Sequence, residues 1–75
     1  MRTEDIDLAA AIVASTGHQP TLSKTPSRHL QTFTFPDDAP IMAAAARFAS
    51  GELVISAKHL LSCRSMLYRQ MRGAR

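Results

Sequence analysis

The chain has 75 residues, a hydrophobic fraction of 45%, one cysteine and a formal net charge of +3. That length is one small domain, and the lone Cys63 excludes an internal disulfide and agrees with a reducing compartment. No run approaches the roughly 18 to 20 apolar residues that a membrane span needs. A fold of this size is marginal alone. Its aromatic residues are Phe33, Phe35, Phe48 and Tyr68, and its 12 alanines fill positions where a core wants bulk, so the composition predicts a homodimer.

The first predicted element is a helix at about 4–16. Thr3 is its expected cap, with Glu4 and Asp5 in the first turn, where acids suit the positive end of the dipole. Ile6, Ala9, Ala10 and Val13 follow helical spacing, and Leu8 and Ile12 widen the apolar arc. Gly17 marks the left-handed stop. The acids before Leu8 are the wrong sign for a signal-peptide leader, so the segment is read as a core helix and the protein as cytoplasmic.

His18, Pro20 and Leu22 alternate with Gln19 and Thr21, which predicts a strand over 18–23 that is an edge or begins late, because Pro20 cannot donate to a ladder. Lys24 to Ser27 reads as a turn. His29 to Phe35 is the clearest strand, with threonines alternating with Phe33 and Phe35. The two strands make an antiparallel hairpin. Asp37 or Asp38 then caps a second helix, with Pro40 in its first turn. Met42, Ala45, Phe48 and Ala49 form the expected stripe beside Ile41, and Gly51 is the stop. Glu52 to Ile55 is a candidate third strand of minimal length. Ser56 caps the last helix, which is expected to run to about Met71, with Arg72 to Arg75 open to fraying. The fold class is therefore small α+β, ordered helix, hairpin, helix, short strand, helix, in one domain over residues 1–75 with its core at about 4–71.

Charge is unevenly distributed. Residues 1–17 sum to −2, residues 18–51 to +1 and residues 52–75 to +4. This asymmetry permits nucleic-acid contact, and it equally permits an acidic N-terminal face to meet a basic C-terminal one. In the last helix Ala57, Leu60, Leu61, Leu67, Tyr68 and Met71 are expected to face the core. Arg64 falls among them, its stem on apolar surface and its head in water. Lys58, Ser62, Ser65, Arg69 and Arg72 recur at spacings of four, three, four and three, one polar stripe with three cations.

The segments EDIDLAAAIVASTGH, LQTFTFPDDAP and ARFASGELVISAKHLL together resemble a small bacterial and phage-borne domain family of unknown function. The shared pattern is an LAA helix ending in Gly-His, an F-x-F strand followed by acids and proline, and G-E-L-x-V before a capped final helix. Ser56 stands where the family more often has aspartate, which changes a cap. The resemblance covers about residues 4–71 and implies the same fold order and an association with phages or prophages. It implies no catalytic residue.

Candidate chemistry is sparse. His59 and Cys63 are four apart on one helix, but a metal site would need two more ligands from His18, His29 or the acids, and no paired-ligand spacing supports it. Cys63 lies mid-helix, far from a helix N-terminus that would lower its pKa. The acid groups Asp37–Asp38 and Glu4–Asp5–Asp7 sit where helix starts want them. The three glycines are isolated, so no phosphate loop exists. The expectation is a non-enzymatic protein with no metal, cofactor or small-molecule substrate. Its leading reading is a self-associating or partner-binding module using Met66, Leu67, Tyr68 and Met71, since methionines adapt to varied surfaces. Its alternative is a nucleic-acid-binding protein whose candidate contacts are Lys24, Arg28, Lys58, Arg69 and Arg72.

Overall fold

The computed structural model of the chain describes residues 1–24 and 31–73, with the backbone alone at Lys24. The expected turn over Lys24 to Ser27, together with Arg28 and His29, therefore falls beyond Lys24 outside the described residues, as do Ala74 and Arg75. The elements are β1 (Arg2–Thr3), α1 (Ile6–Thr16), β2 (Thr21–Lys24), β3 (Gln31–Thr34), α2 (Ala39–Ser50) and α3 (Ala57–Gly73). Three helices and a small antiparallel sheet make the α+β fold that the sequence patterns indicate.

The expected hairpin is present. β2 and β3 pair antiparallel, with Leu22 opposite Phe33 and Thr21 opposite Thr34. Side chains alternate across a strand, so Gln31, Phe33 and Phe35 point to the core while Thr32 and Thr34 face outward. The third strand is not Glu52 to Ile55. It is β1, on the other side of β3, so the sheet order is β1-β3-β2. The reason lies at the end of α2. Gly51 takes the left-handed conformation (φ 79°). Its N–H donates to the Phe48 carbonyl, and the Glu52 and Leu53 N–H groups both donate to the Arg47 carbonyl at 2.9 and 3.1 Å. These amides cap α2, as in a Schellman stop, and two of the run's four N–H groups are lost to any strand ladder. At the other end of the sheet, Phe35 N–H donates to the Met1 carbonyl (2.8 Å) and the Met1 amino group donates to the Phe35 carbonyl and to Asp37.

α1 begins two residues later than its expected start. Asp5, not Thr3, is its cap, accepting from the Asp7 N–H at 2.9 Å and the Leu8 N–H. Thr3 belongs to β1 and is paired with Phe33, and aspartate is at least as good a cap as threonine. The helix ends on Gly17 (φ 76°), whose N–H donates to the Val13 carbonyl.

Ala9, Ala10, Ala11, Ile12 and Val13 are buried in unbroken succession. Five consecutive residues span more than one helical turn, so α1 is enclosed on every side over this stretch. It packs between α2 and α3. Phe33, Phe35, Ile12, Ile41 and Leu67 are the largest fully buried side chains. Alanine is therefore no shortage of bulk here: its short side chain lets neighbouring elements close around the central helix.

Two apolar stripes are rotated from their expected positions. In α2 the buried or half-buried set is Ile41, Ala44, Ala45 and Phe48, while Met42 and Ala49 are exposed. That set has the i, i+3, i+4, i+7 spacing of one helix face. In α3 the inward set is Leu60, Cys63, Leu67 and Met71, while Ala57, Leu61 and Tyr68 turn outward. The last helix reaches Gly73, which places Arg72 within it. No described helix is long and apolar enough to cross a membrane.

Candidate nucleic-acid interface on α3

Ser56 immediately precedes α3; its Oγ accepts from the His59 N–H at 3.4 Å and its carbonyl from the Leu60 N–H at 3.0 Å. Its 17 residues are about 25 Å long at 1.5 Å per residue. Between Ala57 and Gly73 there is no acidic residue and there are four cations, Lys58, Arg64, Arg69 and Arg72.

Arg64 is already committed. Its Nε donates to Asp7 Oδ1 at 2.7 Å, joining the middle of α3 to the first turn of α1. Its guanidinium lies over the Tyr68 ring, 5.0 Å from the centroid, and Nη2 donates to the Tyr68 hydroxyl at 3.3 Å. The Asp7 hydrogen bond, and after it the charge interaction with Tyr68, raise the Arg64 pKa further above its usual value. This is the acid-to-base contact between the two ends of the sequence that the charge asymmetry permits.

The other three cations are exposed, and among the described residues none is ion-paired. They share one side of the helix. Lys58, Arg69 and Arg72 line an open trough of about 530 Å³ with the hydroxyls of Ser62 and Ser65 between them. Leu61 and Tyr68 complete the lining. Lys58 and Arg72 are 14 positions apart, about 21 Å along the axis. Of the five candidate nucleic-acid contacts, three converge here. Arg28 lies outside the described residues, and of Lys24 only its place at the end of β2 is described.

The four candidate protein contacts do not form one surface. Leu67 is fully buried and belongs to the core. Met66 and Met71 are half-buried against the same cluster. Tyr68 alone is exposed, at 41%. The helix is turned so that Leu67 and both methionines pack inward, which leaves Tyr68 as the exposed member of the four. Met71 is held further by its carbonyl, which accepts from Gln31 Nε2 at 2.9 Å and ties β3 to the end of α3. The buried Gln31 Oε1 has no hydrogen-bond partner among the described residues.

The feature missed in the sequence is the outward position of Leu61, which is 60% exposed. Its signal was present, since Leu61 lies three after Lys58 and four before Ser65, on the polar side. Cys63 is buried in the core cluster, and His59 one turn away is exposed. Among the described residues no three His, Cys, Asp or Glu side chains come together as a metal-binding group. No protein-family model, curated protein or solved structure matches the chain.

Proposed function

We propose that the protein is a small non-enzymatic binding module that grips the phosphate backbone of nucleic acid with the outer face of α3. The observation that carries this reading is the convergence of Lys58, Arg69 and Arg72 on one trough with no acid lining it. Phosphate contact by such side chains is independent of base sequence and releases condensed counterions, so it weakens predictably with salt. The two serine hydroxyls add hydrogen-bond donors for phosphate oxygens. A cytoplasmic location goes with this reading, because nucleic acid is met there. A phage or prophage origin rests on the motif resemblance alone.

The test is fluorescence anisotropy of labelled oligonucleotides at low and physiological salt. Three phosphate contacts predict that log Kobs falls against log[salt] with a slope of about −2 to −3. The triple variant Lys58→Ala, Arg69→Ala, Arg72→Ala is expected to lose the binding. Absence of binding at low salt would sink the proposal.

The second reading, self-association, is favoured by one observation. Val54, in the connection between α2 and α3, is 95% exposed, and a β-branched apolar side chain so open gains from being covered. Sedimentation equilibrium decides it: a monomer at high protein concentration removes the homodimer.

A further inference from the structure

The trough on α3 has two unlike sides. Lys58, Ser62, Ser65, Arg69 and Arg72 form its polar stripe. Leu61 and Tyr68 are seven apart, two helical turns, and so lie in line with each other along one flank of that stripe. One side therefore offers cations and hydroxyls, and the other offers an aliphatic and an aromatic surface. A single nucleic-acid strand has the same division, with phosphates along one side and the flat faces of bases along the other. A duplex does not, because its base faces are closed inside the stack and only their edges reach the grooves. Proteins that hold single strands pair a basic groove with aromatic side chains on which bases stack.

Tyr68 is prepared for that role. One face of its ring is covered by Arg64, and Arg64 is itself fixed by Asp7. Arg64 does not line the trough, whereas Tyr68 does. The ring is thus reachable from the trough, while Arg64 contacts it from outside the trough lining. Resting on the phosphate-binding reading above, we infer that the ligand of this trough is single-stranded nucleic acid, with one base stacked on Tyr68 and the neighbouring phosphates on Lys58, Arg69 and Arg72. Asp7 and Arg64 are positioning residues for the ring.

The chain contains one tyrosine and no tryptophan, so tyrosine emission reports this ring alone. A stacked base quenches it by draining the excited state of the ring. The experiment titrates the full chain with a short oligothymidylate, with an abasic oligonucleotide of the same length and charge, and with a duplex of that length. The expected result is quenching by oligothymidylate and none by the abasic strand, which binds about tenfold more weakly because one stacking contact is missing. Tyr68→Ala is expected to lower the affinity for oligothymidylate about tenfold and leave the abasic affinity unchanged, and Tyr68→Phe to restore it. Circular dichroism of each variant checks that it is folded. Equal affinity for the abasic strand, or a duplex bound at least as tightly as the single strand, overturns the stacking inference while leaving the phosphate grip standing. Failure of all three ligands to bind at low salt overturns both.

Discussion

α1 and α3 are both helices of one small core, but they do opposite work. α1 is short, alanine-rich, capped by an acid and buried over five consecutive residues. α3 is longer and basic, and it gives only one face to the core. The difference shows that in a domain this small the bulk of a side chain does not tell where the centre lies. The centre is the helix whose residues are small enough to be surrounded. The helix with the larger side chains lies at the side, where its cations stay in water.

Substitutions can break that contrast. The largest effect is expected at the one place where α3 does belong to the core. Leu67→Ala deletes a fully buried side chain and is expected to cost about 2–5 kcal/mol, read from urea unfolding. Next is Ala10→Leu, which forces bulk into the enclosed helix. It is expected to cost about 1–3 kcal/mol by overpacking, whereas a helix open on one side would absorb the same change. Gly51→Ala tests the stop that separates α2 from α3. Nothing crowds the position of an added Cβ, so the loss of about 1–2 kcal/mol is the conformational cost of a left-handed alanine. The smallest effect on stability is expected for the triple variant Lys58→Ala, Arg69→Ala, Arg72→Ala, within about 0.5 kcal/mol of the parent, although the proposed nucleic-acid binding is expected to be lost. A large loss of stability in that variant would mean that the outer face of α3 is structural, and the contrast between the helices would fail.

Much of this was readable from local signals. The glycine stops at Gly17 and Gly51, an aspartate cap for α2 and the alternation around Phe33 and Phe35 are set by residues close in sequence and are where local chemistry puts them, with Asp38 rather than Asp37 serving as the cap. The cationic stripe of α3 was equally plain, because spacings of three and four define a helix face whatever surrounds it. What was not readable depended on distant partners. Arg2–Thr3 has no strand pattern of its own and becomes β1 only because β3 lies beside it. The rotation of α3 that turns Leu61 and Tyr68 outward and Cys63 inward is fixed by how the helix sits on α1, and the Asp7–Arg64 contact joins residues 57 positions apart. The expectation that Ala57, Leu61 and Tyr68 face the core failed for the same reason. Composition shows that apolar residues are present on a helix, and the neighbouring helix decides which of them remain outside.

The order of the sheet has a consequence for how the protein meets other chains. β3 is flanked on both sides, so the edges of the sheet are β1, two residues long, and β2, four residues long and preceded by Pro20. Each carries a cationic residue, Arg2 or Lys24. Short, charged edges offer little template for a further strand and resist edge-to-edge aggregation. Sheet extension is therefore a poor route to partners for the described edges, which is consistent with placing the proposed ligand on the outer side of α3.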